Sequence, residues 1–203
     1  MIHPVKLQSS ALHLTASGFN GVKLKAAQLR TTKPSKGDLG KIKRRDIYFI
    51  LDNILDTYNV GGIFRLADAL GVKKVFLCGE TETPPNPRIK KASINTTEWI
   101  AWEYVPTAAG AIKDLRFKIK DLKVVAVEQD GKSVPYTEID CKLPIALVVG
   151  NETTGISKEV LERCDYVAEI PMWGVNTSLN VILSLGIVSY QAIRGHRHKA
   201  GKS

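Results

Sequence analysis

The chain has 203 residues, is 44% hydrophobic and 24% charged, and carries a formal net charge of +9. That length suits one α/β domain with extensions or two very small domains, and the composition is that of an ordinary globular protein. No run approaches the ~18 apolar residues of a membrane span, and residues 1–17 lack the apolar core of a signal peptide, so no membrane association is expected. Cys78, Cys141 and Cys164 form no C-x-x-C pair, and their odd number argues against both a zinc site and a disulfide framework. A reduced, cytoplasmic setting is expected.

Charge is unevenly placed. Residues 1–45 hold ten Lys/Arg against Asp38 alone, residues 194–203 hold four with no acid, and residues 46–193 hold fifteen bases and nineteen acids. Basic ends on a mildly acidic body suit a polyanionic partner, nucleic acid first, or else solvated tails that aid solubility. The expected organisation is a basic N-terminal extension (1–45), a central domain (46–194) and a basic C-terminal tail (195–203). Gly18, Gly21, Pro34, Gly37 and Gly40 punctuate the extension, which has room for a helical turn or two at 22–29. It reads as a mobile arm that orders on a partner.

The apolar run at 47–51 is typical of a buried strand. A loop at 52–58 leads through Asn59, Val60, Gly61 and Gly62 into a helical pattern over 63–70 that closes at Gly71. Residues 75–78 form the next strand, ended by Gly79. The stretch 80–98 is read as a surface loop, with Pro84, Pro85 and Pro87 beside Arg88, Lys90 and Lys91; next to a nucleic-acid site it would also touch phosphates. A short strand at 100–104, an amphipathic helix over 107–118 and a strand at 124–127 come next, the last running into Glu128-Gln129-Asp130-Gly131. An apolar run at 145–149 stops on Gly150-Asn151-Glu152-Thr153-Thr154-Gly155, and a short amphipathic piece spans 157–164. A second apolar run at 166–170 ends in Pro171-Met172-Trp173-Gly174, and Asn176-Thr177-Ser178-Leu179-Asn180 leads into a long apolar segment, 181–193. Strands alternating with helices imply an α/β fold with a mainly parallel sheet and helices on both faces. Ligands in such folds bind beyond the carboxyl ends of strands, so the loops after 149 and 170 are candidate walls of one pocket.

Several chemistries are excluded. The G-x-G-x-x-G dinucleotide fingerprint and the G-x-x-x-x-G-K-[ST] phosphate loop are absent. His3, His13, His196 and His198 all sit in the extensions, which leaves no histidine for acid/base work in the domain, and no ligand cluster suggests a metal.

Three loops together resemble the three motifs of the SpoU (TrmH-type) RNA ribose 2′-O-methyltransferases of the SPOUT superfamily. The first is Asn59-x-Gly61-x-x-x-Arg65 followed by Ala67 and Gly71. The second runs from Leu147 through Gly150-Asn151-Glu152 to Gly155-Ile156-Ser157. The third is Ile170-Pro171-Met172-x-Gly174-x-x-x-Ser178-Leu179-Asn180-Val181. One such motif is weak; three in order over residues 47–194 are strong. Asn151 stands where serine is common and Ile156 where leucine is common. No counterpart is expected here of the separate RNA-binding domain that some members carry ahead of the catalytic one, which leaves the substrate open.

The resemblance implies a SPOUT fold with a C-terminal trefoil knot, S-adenosylmethionine as cofactor without a metal, and a homodimer in which two subunits complete each site. The implied activity is methylation of a ribose 2′-hydroxyl in RNA. Transfer RNA is slightly favoured, since short chains with basic tails resemble the tRNA-acting members. The alternatives are an rRNA 2′-O-methyltransferase and a catalytically silent RNA-binding or assembly factor on the same fold. Against the silent factor stand the intact Asn59, Arg65, Glu152, Ser178 and Asn180, which the resemblance makes the catalytic group.

Val127, Glu128, Gly150, Ile170, Met172, Ser178 and Leu179 are the expected cofactor-binding residues. Ile170, Met172 and Leu179 suit an apolar adenine slot or plain core, and Gly150 suits close approach of the cofactor to the backbone. The planar Arg65 guanidinium suits a phosphate, and because a guanidinium keeps its proton it positions and activates rather than acting as a base. Asn59 and Ser178 also suit helix N-caps. Glu152 either orients Asn59 or Arg65 or fixes its own loop. The segment 181–194 is apolar over most of a helix surface, so it is either buried all round or shared with a second copy.

Overall fold

The computed structural model describes residues 25–30, 33–139 and 142–194. The readings that fall on residues 1–24, on Cys141 and on the 195–203 tail, including all four histidines, lie outside them. Two short helices, α1 (Ala26–Leu29) and α2 (Lys36–Gly40), precede β1 (Arg45–Asp52). Then come α3 (Thr57–Leu70), β2 (Val72–Cys78), α4 (Pro87–Ser93), β3 (Trp102–Val105), α5 (Ala108–Lys118) and β4 (Lys123–Val127). The remainder is β5 (Val134–Pro135), β6 (Ile145–Gly150), α6 (Lys158–Leu161), β7 (Tyr166–Glu169) and α7 (Val181–Ala192).

The sheet has seven strands in the order β3-β2-β1-β6-β4-β7-β5, and every pairing is parallel. This is the expected α/β architecture. Along β1, Ile47, Phe49 and Leu51 join the core beneath α3 and α7, while Tyr48 and Ile50 join the one beneath α5 and α6. A continuous apolar run buried on both faces is how a central parallel strand reads in sequence. The two-residue β5 was not expected; its proline is tolerated because the strand lies at the sheet edge.

Two readings need correction. The first helix of the domain starts at Thr57, not after Gly62, and its N-cap is Asp56, whose carboxylate accepts from Tyr58 N–H at 2.8 Å. Asn59 is therefore no cap but a buried residue inside the first turn. The glycine pair that looked like a loop is helical because two neighbours come too close for side chains. A Cβ on Gly61 would stand 2.5 Å from Ala92 Cβ and 2.8 Å from the Ile89 carbonyl oxygen in α4, and one on Gly62 would stand 2.3 Å from Ile182 Cδ1 in α7. Close packing on both sides offsets the poor helix propensity of glycine.

The second correction concerns residues 80–98, read as a loop. They contain α4, capped by the Asn86 side chain accepting from Arg88 N–H and Ile89 N–H, with Pro87 in the first turn, and a 3₁₀ turn at Thr96–Glu98. Proline at the first helical position is a start signal, and the clustering of three prolines obscured it. Part of the basic extension is also packed against the domain rather than free. Asn95 Nδ2 donates to the Leu29 carbonyl at 2.8 Å, Arg44 Nη2 donates to the Trp99 carbonyl at 3.3 Å, and Lys33 pairs with Glu98. Among the described residues no helix is long and apolar enough to cross a membrane.

Gly61→Ala should lower stability by about 1–3 kcal/mol, because a backbone carbonyl and a backbone N–H of α4 must retreat rather than a flexible side chain. Urea unfolding measures it; a change within the error of the titration would show that α3 and α4 separate freely.

Candidate functional site

Strands β6, β4 and β7 run parallel and end on one side of the sheet, and the segments that leave them enclose a cleft of about 650 Å³. Val127 and Glu128 after β4, Gly150 to Thr153 after β6, Ile170 and Met172 after β7, and the segment 176–181 leading into α7 line it. All seven residues of the expected cofactor group, with Glu152 and Asn180, are therefore brought to one place. A cavity of this size, lined by apolar side chains together with several convergent polar groups, is the form of a small-molecule site. A smaller cavity, about 290 Å³, opens at the other end of β4 around Arg116 and Asp165, which are ion-paired to each other at 2.8 Å.

The three motif loops are joined by side chains. Glu152 accepts at Oε1 from Asn59 Nδ2 (2.9 Å) and from Asp56 N–H (3.2 Å), and at Oε2 from Leu55 N–H (3.2 Å). Asn59 Oδ1 in turn accepts from Asn180 Nδ2 at 3.0 Å, and Asn180 Oδ1 caps α7 by accepting from Ile182 N–H at 2.9 Å. Burial works against the Glu152 charge, but the hydrogen bonds from Asn59 and from the backbone N–H groups outweigh it and hold the carboxyl below its ordinary value. Of the two partners considered for Glu152, Asn59 is the one it touches.

Other residues differ from expectation. Ser178 is not the cap of α7; Asn180 is, and Ser178 stands exposed on the cleft wall. Gly150 lines the cleft, yet its missing side chain serves the protein itself: a Cβ would stand 2.4 Å from the Gly155 carbonyl carbon and from Ile156 N. Glu128 accepts from Ile156 N–H at 3.0 Å and Gln129 N–H at 2.9 Å, so its carboxylate holds the glycine loop while lining the wall. Leu179 is 37% exposed on that wall and is not core. Sequence reasoning missed Gln129, whose Nε2 donates to the Thr177 carbonyl at 2.7 Å and ties the β4 loop to the approach of α7. No motif marks that contact. Burial pushes the Cys78 and Cys164 thiols up to about 12, so neither is a nucleophile.

Arg65 stands apart. It is exposed, is absent from the cleft lining, and forms no ion pair among the described residues. At 3.6 residues per turn it lies about 120° around α3 from Asn59. The cleft lining contains two carboxylates, Glu128 and Glu152, and no lysine or arginine.

Residues 46–190 match the SpoU rRNA Methylase family. The chain is 32% identical over 163 residues to the tRNA (guanosine(18)-2′-O)-methyltransferase of Aquifex aeolicus, covering 77% of this chain and 73% of that protein. It is 31% identical over 152 residues to the 23S rRNA (guanosine-2′-O-)-methyltransferase of Neisseria meningitidis serogroup B, covering 74% of this chain but only 59% of that one. The crystal structure of the AdoMet-bound rRNA methyltransferase from Sinorhizobium meliloti superposes with a TM-score of 0.66 at 31% identity, covering 82% of this chain and 60% of that chain. The chain belongs to the SpoU methylase family, with its SPOUT α/β fold; membership implies the carboxy-terminal knot.

The Glu152 carboxyl titrates lower in the folded chain than unfolded, so its contribution is present above the unfolded value and is lost as pH falls through the folded one. Wild type should therefore exceed Glu152→Gln in stability by roughly 0.5–1 kcal/mol at neutral pH, a small figure because water screens an exposed carboxylate. The gap should close below the ordinary value of 4.5. Paired urea titrations across that range check it, and a gap that widens in acid would reverse the assignment.

Proposed function

We propose that the protein is an S-adenosylmethionine-dependent RNA methyltransferase that methylates a ribose 2′-hydroxyl. The observation that carries this reading is the hydrogen-bonded chain Glu152–Asn59–Asn180, which unites one residue from each of the three motif loops at a single cleft. Relatives that act on tRNA and on rRNA match the chain about equally, and transfer RNA is kept slightly ahead on the basic ends. A cytoplasmic setting accords with the free thiols of the buried Cys78 and the half-buried Cys164.

The cleft suits the cofactor. S-adenosylmethionine bears a net positive charge at neutral pH, and the lining offers two carboxylates and no cation to oppose it. Ile170, Met172, Leu179 and Val127 give apolar walls for a purine, and the Gly150–Gly155 loop presents backbone at close range. When bound, the cofactor supplies an electrophilic methyl group on a sulfonium, and the accepting hydroxyl must lose its proton. Glu152 is a poor base for that proton, because three donors already occupy its oxygens. Its role is to position Asn59, and through it Asn180. Arg65, unpaired and exposed, is left to seat the ribose phosphate and favour the developing oxyanion.

Arg65 faces away from the cleft of its own chain, so we assign the complete site to a homodimer in which the guanidinium serves the other subunit's cleft. The surface of α7 fits that assignment. Leu183, Ile187 and Tyr190 are 58%, 37% and 56% exposed, an apolar stripe opposite the buried Leu185, Val188 and Ala192.

Isothermal titration should show S-adenosylmethionine binding that chelator leaves unchanged. Arg65→Ala should keep that affinity and lose methyl transfer to RNA by at least ~100-fold, the scale of a lost charge-stabilising donor; transfer at near wild-type rate would remove the role assigned to Arg65. Sedimentation at micromolar concentration should give a dimer, and Leu183→Glu should yield monomers that retain the folded circular-dichroism spectrum. A wild-type monomer would refute the shared site.

A further inference from the structure

The helix α3 divides its surroundings between two stripes. Asn59, Gly62 and Leu66 fall within about 60° of one another at 3.6 residues per turn, and they meet Asn180, Ile182 and the Gly186 region of the α7 side. Gly61, Arg65 and Asp68 fall within about 60° on a second stripe. On this one, Gly61 abuts Ala92 of α4, and Asp68 accepts from Trp99 Nε1 at 2.8 Å. Arg65 lies between these two contacts, one turn beyond the first and one turn before the second. The excursion 86–99 therefore runs along the flank of Arg65.

That excursion holds the basic extension. Ile94 and Asn95 both adopt left-handed backbone, at φ 52° and 64°, a conformation that asparagine tolerates better than most residues and that is rare for a β-branched one. The double turn ends α4 and points the Asn95 amide at the Leu29 carbonyl, 2.8 Å away. Lys33 on Glu98, and Arg44 on the Trp99 carbonyl, fasten the same segment further along. In doing so these contacts neutralise Glu98, the one acid of residues 86–99.

Residues 25–45 and 86–99 together hold eleven Lys/Arg against Asp38 and Glu98, and both of those acids are already paired with lysine. Arg30, Lys36, Lys43, Arg88, Lys90 and Lys91 are exposed and form no ion pair among the described residues. A set of like charges held together by hydrogen bonds and left without counter-charges stores repulsion that a polyanion relieves. Spaced side-chain cations on two backbones suit a chain of phosphates better than one small anion.

We propose that α4 and the docked residues 25–30 and 33–45 form one binding surface for the RNA sugar-phosphate backbone, fastened by Asn95 and set beside Arg65. This rests on the reading of the chain as an RNA methyltransferase. It differs from a pair of loose basic tails: the surface belongs to the folded domain, and it places the phosphates of the acceptor strand next to the guanidinium that serves the reaction.

The test uses the full chain and an unmodified transfer-RNA transcript, with binding measured by filter retention over a series of salt concentrations. Each phosphate contact contributes about 0.7–0.9 to the slope of log affinity against log salt. Arg88→Ala/Lys90→Ala/Lys91→Ala should lower that slope by about 2 and weaken binding more than tenfold at low salt. Its S-adenosylmethionine affinity and thermal midpoint should stay at wild-type values. Asn95→Gly keeps the left-handed backbone and removes only the amide; it should weaken RNA binding several-fold with the cofactor affinity kept. A triple variant with wild-type slope and affinity overturns the surface, and an Asn95→Gly protein with wild-type RNA affinity overturns the fastening. A wild-type protein that binds the transcript but loses nothing in either variant defeats this proposal alone. One that binds and methylates no RNA defeats the functional reading beneath it.

Discussion

The carboxylate of Glu152 is the tie on which the arrangement of the cleft depends. Its two oxygens receive the Leu55 and Asp56 N–H groups and the Asn59 amide, so one side chain from the β6 loop fixes both the exit of β1 and the first turn of α3. Asn59 carries the constraint on to Asn180, which starts α7. Three elements far apart in the chain are thereby set in one register. The bonds run between loops rather than within them, so loosening one would let the cleft wall drift without unfolding the sheet. Neutral amides carry the link, which keeps the entrance of a site for a cationic ligand free of competing positive charge.

Charge is segregated on the two sides of α3. Toward α7 lie Glu128 and Glu152 with no cation in the cleft lining. Toward α4 lie Arg65 and the unpaired bases of α4 and the docked segment. The glycine pair makes both neighbours possible, since Gly61 admits α4 and Gly62 admits α7 at distances no side chain allows. In the proposed enzyme the two stripes of this helix, about 120° apart, thus face α7, which helps wall the cofactor cleft, and the proposed RNA surface. A second subunit is what would bring an arginine from one stripe to a cleft on the other.

Much of this was legible in the residues alone. The runs at 47–51 and 145–149 are apolar at every position, as a short strand covered on both faces is, and they form the centre of the sheet. The three loop motifs could be read because they are constrained locally: glycine where backbones touch, and amides and a carboxylate where loops must be tied. The helix over residues 107–118 was visible from its amphipathic period; the structure adds its N-cap, Thr107, which accepts from Gly110 N–H.

What escaped the sequence was decided by contacts between distant segments. A glycine pair reads as a break in any local scale, and only the approach of α4 and α7 makes it the middle of a helix. Asn59 carries the features of a cap, yet it lies inside the helix because its amide is needed between Glu152 and Asn180, residues about 90 and 120 positions away. The separation of Arg65 from the cleft follows from helical phase combined with which neighbours occupy each stripe, and the docking of residues 25–30 and 33–45 follows from an asparagine at a left-handed turn. Local chemistry determined which residues gather at the strand ends. Only packing across the chain decided which of them face one another, because hydrogen bonds and close contacts of that range leave no periodic trace in the order of residues.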